Sequence, residues 1–127
     1  MNSISFNDLK GKVCVITGGA GVLGTAMVKA LASVDMKIAI ADINKEVAES
    51  VATEIANEFN AIVIGVEANV LDKASLEKAK AEINEKLGEI GVLINGAGGN
   101  SPQATTKVEQ MTEENIELKR LQWECRR

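Results

Sequence analysis

The chain has 127 residues, enough for one domain, and its 46% hydrophobic and 25% charged content is that of a soluble globular fold with a real core rather than a disordered segment. A net charge of -4 argues against nucleic acid as a partner, because proteins that track a phosphate backbone carry a basic face. No apolar run approaches the ~18 residues of a membrane span and no basic segment leads into an apolar stretch at the N-terminus, so no membrane partner is expected and the setting expected is cytoplasmic.

In chain order, Val13 to Thr17 is short, apolar and rich in Val and Ile, the pattern of a fully buried parallel strand. It breaks into Gly18-Gly19-Ala20-Gly21-Val22-Leu23-Gly24, a glycine loop that opens a helix over about Val22 to Val34, with Leu23, Met27, Ala30, Leu31 and Val34 as its apolar stripe. A second strand is expected at Lys37 to Ala41 and a second helix at about Asn44 to Glu58, striped by Val47, Val51 and Ile55 with Ala48 and Ala52 beside them. A third strand follows at Ala61 to Val66, then a helix after Asp72 carrying Leu76, Ala79, Ile83 and Leu87, and a fourth strand at Val92 to Asn95. Asn44 and Asp72 are suited to N-caps, and Gly88 to a helix stop.

Strand and helix in alternation mean right-handed βαβ units, hence an α/β fold with helices on both faces of a parallel sheet. The expectation is a partial Rossmann fold of about four strands in the order 3-2-1-4, filling residues 1–98. Residues 99–127 read as a loop at Asn100-Ser101-Pro102 and a short helical tail capped by Thr112, with Met111 and Ile116 placed for a hydrophobic staple. Cys14 and Cys125 have no CxxC spacing and the chain has no histidine, so neither a disulfide framework nor a metal site is supported.

The loop satisfies GxGxxG at Gly19, Gly21 and Gly24 between a strand and a helix. Glycine lets the backbone turn tightly and approach a phosphate with no Cβ in the way, while the helix behind it aims unpaired N–H groups at the anion. Asp42 ends the second strand, within a few residues of the ~20-residue spacing at which a carboxylate accepts ribose hydroxyls; its other reading is a helix-entry residue beside Asn44. Asn95-Gly96-Ala97-Gly98-Gly99 follows the fourth strand, and in a 3-2-1-4 sheet both glycine turns meet where the chain reverses direction. A plain strand-exit turn is the alternative for Gly96 to Gly99.

From about Phe6 to Asn115 the chain resembles the short-chain dehydrogenase/reductase family. Phe6-Asn7-Asp8-Leu9-Lys10-Gly11-Lys12-Val13 is similar to the family's lead into its first strand, Thr17 to Gly24 to its TGxxxGxG loop, and Asn95 to Gly98, here NGAG, to its NNAG element. Val22 stands where the family pattern has glycine, with Gly21 beside it. TGGAGVLG with INGAGGN and a nearby Pro-x-Ala-Thr-Thr is similar, more narrowly, to the D-mannonate oxidoreductase (fructuronate reductase) group, which interconverts hexuronate-derived sugar acids.

The resemblance implies a nicotinamide dinucleotide cofactor, held by Gly18, Gly19, Gly21, Val22, Leu23 and Gly24 at the pyrophosphate and by Asp42 and Ile43 at the adenosine ribose. It further implies Asn69 and Val70 at the adenine, where relatives carry Asp-Val, and Asn95, Gly96, Ala97 and Gly98 along the inner face. Asp42 without Arg or Lys at position 43 favours NAD over NADP, since a 2′-phosphate beside an unneutralised carboxylate is repelled, and Lys45 is the one nearby cation that works against this.

Relatives of this kind are close to twice this length and use a Ser, Tyr, Lys set with an assisting Asn, yet this chain contains no tyrosine. Aligning Thr112-Glu113-Glu114-Asn115 with the family's TEENW-like segment brings the assisting Asn to position 123, which is Trp123. Ser101, Thr105 and Thr106 are the polar residues nearest the nicotinamide end, with loop hydrogen bonding as their other reading. No catalytic residue is therefore expected in this chain, and a small-molecule substrate belongs only to a complete form. The expectation is the cofactor-binding half of an oxidoreductase, truncated and inactive alone; the alternatives are a non-enzymatic NAD-binding or sensing domain and a non-functional fragment. An apolar edge at Val92, Leu93 and Ile94 is expected to be open to self-association unless the tail covers it.

Overall fold

A computed structural model of the chain describes residues 4–98. After a 3-10 turn at Asn7–Leu9 come β1 (Val13–Thr17), α1 (Val22–Ala32), β2 (Lys37–Asp42), α2 (Lys45–Phe59), β3 (Val63–Glu67), α3 (Lys73–Lys86) and β4 (Ile90–Asn95). The four strands form a parallel sheet in the order β3-β2-β1-β4. The anticipated α/β architecture and strand order are thus both observed. The expected loop, staple and tail helix of residues 99–127 lie outside the described residues.

Local chemistry sets the helix boundaries. The Asn44 side chain accepts from the Val47 amide and the Asp72 side chain from the Ala74 amide, so both act as the N-caps their sequence positions suggest. Asn60 closes α2 in the left-handed conformation, and Gly88, at φ 106, lets the chain leave α3 for β4.

Both faces of the sheet are covered by helices. On one, α1 and α2 pack Val28, Ala32, Ala48, Ala52 and Ile55 against Cys14, Ile16, Ile38, Ile40 and Val63. On the other, α3 packs Ala79 and Ile83 against Val13, Val15, Ala39, Ala41 and Val66. Burial pushes the Cys14 thiol up to about 11, which makes it an inert core side chain.

The helices are turned slightly from the faces that residue size suggests. In α1 the fully buried positions are Gly24, Val28 and Ala32, while Leu23 and Ala30 are exposed; in α2 they are Ala48, Ala52 and Ile55, while Val47 is exposed. A helix lies closest to a sheet where its side chains are small, and the bulkier stripe then lies at the margin of the contact. The tightest such point is Gly65 in β3, where an added Cβ would sit 2.4 Å from the α2 backbone at Ala48 and Glu49. Lys29 of α1 and Glu58 of α2 clasp across the two helices at 2.9 Å, and the hydrogen bond to that carboxylate raises the lysine pKa.

β4 begins two residues earlier than expected and alternates between half-buried and exposed positions, unlike the continuously buried β1. Leu93, on the α3 side of the sheet, is 58% exposed. Among the described residues, no helix is long and apolar enough to cross a membrane.

Candidate functional site

Parallel strands deliver their carboxyl ends to one edge of the sheet. Thr17 pairs with Ala41 on one side and Asn95 on the other, so the turns leaving β1, β2 and β4 emerge together. Between β1 and β4 the chain changes direction of travel across the sheet, which is where open α/β sheets form their crevice.

The two glycine turns touch there. Gly18 has φ 67, and a Cβ on it would lie 2.9 Å from the backbone of Gly96 and Ala97. A Cβ on Gly96 would lie 2.7 Å from the Thr17 carbonyl oxygen, and one on Gly24 would lie 2.4 Å from the Gly18 carbonyl oxygen. Each of these glycines permits a backbone-to-backbone approach that no other residue allows. Gly19 is tight as well, its absent Cβ being 3.0 Å from the Ile16 carbonyl and from Ile40.

Thr17 holds the two turns in place, a role not apparent from its position at the end of β1. Its Oγ1 accepts from the amides of both Gly96 and Ala97 at 3.2 Å, and the residue is only 6% exposed. The Gly18 amide donates to the Ala41 carbonyl at 2.8 Å, tying the loop to β2 as well. The only sequence cue for the Thr17 clasp is a hydroxyl immediately before the first glycine.

α1 starts with its amides open. Thr25 makes the first helical bond, to the Gly21 carbonyl at 2.8 Å, so the amides of Val22, Leu23 and Gly24 precede the helical ladder. The N-cap, Gly21, has no side chain to occupy them. A helix N-terminus of this form attracts an anion through its dipole and its unpaired donors. A Gly21 without a side chain and three amides outside the helical ladder are the kind of donor set that a phosphate group takes.

Asp42 ends β2 half-buried, with Oδ1 accepting from the Asn44 amide at 3.2 Å. Only one carboxylate oxygen is used in this turn, so the helix-entry role and ligand binding are compatible. Ile43 beside it is exposed. Lys45 leans along its own helix toward Glu49, 3.7 Å away.

The exit of β3 is shaped by Asn69. Its side-chain oxygen accepts from the Leu71 amide at 3.0 Å, leaving one lone pair, and its own amide donates to Ser75 Oγ at 2.9 Å. Ser75 is a second residue that nothing in the sequence singled out. Val70 is exposed beside this turn, and the Ala68 amide reaches back to the Asp42 carbonyl at 2.9 Å, bracing the exits of β2 and β3 together.

Asn95 and Gly98 are exposed on the β4 exit. Gly99 and the polar candidates Ser101, Thr105 and Thr106 lie outside the described residues. Among the described residues no three His, Cys, Asp or Glu side chains gather as a metal site. Two cavities of about 320 and 430 Å³ lie at the opposite, amino end of the strands, around Lys10 and Asp35, away from this chemistry.

Residues 12–119 match the family model for short chain dehydrogenase. Over 106 residues the chain is 46% identical to the uncharacterised oxidoreductase UxuB of Bacillus subtilis, covering 84% of this chain and 38% of that protein. It therefore spans about two-fifths the length of this curated relative. Among solved structures it is similar to a Haemophilus protein provisionally assigned as a D-mannonate oxidoreductase, with bound NAD: TM-score 0.74, 38% identity, 83% of this chain and 37% of that one. It shares its fold with L-sorbose reductase of Gluconobacter frateurii, complexed with NADPH and L-sorbose, at TM-score 0.70 and 22% identity over 84% of this chain and 39% of that one.

Proposed function

The chain belongs to the short chain dehydrogenase family, and from that membership we propose that the crevice at the ends of β1 and β4 binds NAD, as the cofactor-binding half of a cytoplasmic oxidoreductase. The observation that carries this reading is the contact between Gly18 and the Gly96-Ala97 turn, with the open amides of α1 beside it. Gly18, Gly19, Gly21, Val22, Leu23 and Gly24 take the pyrophosphate, Asp42 and Ile43 the adenosine ribose, Asn69 and Val70 the adenine, and Asn95, Gly96, Ala97 and Gly98 the inner face. The bound nicotinamide supplies the hydride acceptor.

NAD is preferred to NADP in this reading because the Asp42 carboxylate meets the ribose with no cation at position 43, while Lys45 is drawn toward Glu49. The complete enzyme acts on a carbonyl or alcohol of a sugar acid, a substrate class supported by the resemblance to the NAD-bound Haemophilus structure. The 127 residues themselves contain neither tyrosine nor histidine to move the alcohol proton, so this half binds cofactor without turnover. The binding unit in this reading is residues 1–98.

Thermal unfolding of the chain with and without dinucleotide tests the reading, because a ligand that binds only the folded state stabilises it, by about 2.7 kcal/mol at one hundred times its Kd. NAD is expected to raise the midpoint, NADP to raise it less, and Asp42→Ala to remove most of the difference between the two. A cooperatively folding sample that gains nothing from millimolar NAD sinks the proposal.

Self-association through β4 belongs to the same proposal. Ile90–Asn95 carries no charge and no proline to discourage edge pairing, and Leu93 adds exposed apolar surface. Sedimentation is expected to show a dimer that Leu93→Lys shifts toward monomer. A parent chain that is monomeric at tens of micromolar rules this out.

A further inference from the structure

We infer that the Asn95-Gly96 pair is a self-modification site, where the Gly96 backbone nitrogen closes on the Asn95 side chain, and that the Thr17 hydroxyl holds this reaction back in the folded chain. The pair occurs once in the sequence. Glycine after asparagine leaves the attacking nitrogen uncrowded, since it has no Cβ. The fold has no room for a bulkier residue there: a Cβ on Gly96 would lie 2.7 Å from the Thr17 carbonyl oxygen. The close approach of the β4 exit to β1 therefore builds a labile peptide into the chain, whether or not a cofactor is bound.

In the reaction the Gly96 nitrogen loses its proton and bonds to Asn95 Cγ, the Cγ–Nδ2 bond breaks, and ammonia leaves a cyclic imide. Water then opens the imide and is the sole co-reactant, and nothing is oxidised or reduced. Opening at the side-chain carbonyl gives aspartate. Opening at the main-chain carbonyl gives isoaspartate, which routes the backbone through the former side chain and inserts an extra carbon between β4 and the amides that Thr17 holds. Refolding does not reverse either product, so the β4 exit ages in one direction.

Asn95 and Gly96 are both exposed, so water and hydroxide reach the amide and the nitrogen. β4 ends at Asn95 and pairs, among the described residues, with β1 alone, which makes Asn95 the last rung of a ladder held on one side. The Gly96 amide beyond it donates to Thr17 Oγ1 at 3.2 Å, and the Ala97 amide shares the same oxygen. A nitrogen engaged in that bond neither gives up its proton readily nor turns onto Cγ. Ring closure also needs Asn95 to leave the strand, whose side chains stand away from the following amide. The reaction thus waits on a local opening, and the Thr17 clasp sets how often that occurs.

The test holds the full chain warm at mildly alkaline pH and follows conversion at Asn95 by peptide mapping, with isoaspartate counted by its specific methyltransferase. Parent unfolded in urea gives the unguarded rate, and the folded parent is expected to convert at least about ten-fold more slowly. Thr17→Ser is expected to keep that protection and Thr17→Val to lose most of it, since losing one hydrogen bond changes a local opening by about ten-fold. Gly65→Ala, which disturbs the remote α2 contact and leaves the clasp in place, is expected to convert as the parent does. Equal rates in folded and unfolded parent overturn the inference, as do equal rates in Thr17→Val and the parent, or a Gly65→Ala as fast as Thr17→Val. If Thr17→Val does not fold, hydrogen exchange in the parent decides: a protected Gly96 amide supports the guard, and one exchanging as in an unfolded chain overturns it.

Discussion

Gly65→Ala is expected to lower the unfolding free energy by about 3 kcal/mol, the upper range for forcing an extra carbon into a packed contact. The methyl group would stand 2.4 Å from the carbonyl carbon of Ala48 and the amide nitrogen of Glu49. Neither atom belongs to a side chain that can swing away, so α2 as a whole has to lift from β3. Lifting it opens the core at Ala48, Ala52 and Ile55, all buried against this face. Gly91→Ala is the matched control: its nearest neighbour is the Val13 carbonyl oxygen at 3.8 Å, and it is expected to be neutral within about 0.5 kcal/mol. Denaturant unfolding should register the first as a lower midpoint at unchanged slope. Equal midpoints for the two variants would mean that the α2–β3 contact is not the constraint described.

Residue type alone was enough to place the strands and caps, because each depends on local chemistry. The Val and Ile runs of β1 and β2 are buried on both faces, and Asn44 and Asp72 make the bonds that their positions before a helix invite. The helix faces were less legible. Ranking by size chose Leu23 and Val47, while the buried positions are Gly24, pressed on the Gly18-Gly19 turn, and Ala48 and Ala52, which α2 brings to the sheet where β3 presents Gly65 to Ala48. That preference is a property of two elements together and has no signature in either one. The same holds for the site. Gly18 to Gly24 and Asp42 were visible as spacings, whereas the clasp at Thr17 joins segments that only folding brings together.

Thr17→Val is expected to weaken both the fold and the crevice, and the comparison with Thr17→Ser separates the two. Valine keeps the branched shape that suits a buried strand but replaces the acceptor with a methyl group, stranding the Gly96 and Ala97 amides that now donate to Oγ1 at 3.2 Å. A lost acceptor for partly buried donors costs about 1–3 kcal/mol, and here one oxygen serves two of them. Serine retains the oxygen and loses only the methyl group, so its cost is that of a small cavity, about 1 kcal/mol. NAD binding should follow the oxygen: near the parent's affinity in Thr17→Ser, and at least ten-fold weaker in Thr17→Val, where the turn after β4 is no longer held against Gly18. Thr17 and Gly96 lie 79 residues apart in the chain, and this hydroxyl joins them directly. If Thr17→Val binds NAD as the parent does, the crevice is held by the close packing of Gly18 against Gly96 and Ala97 alone. If it is stable but does not bind, the hydroxyl orders the site for its ligand rather than supporting the sheet.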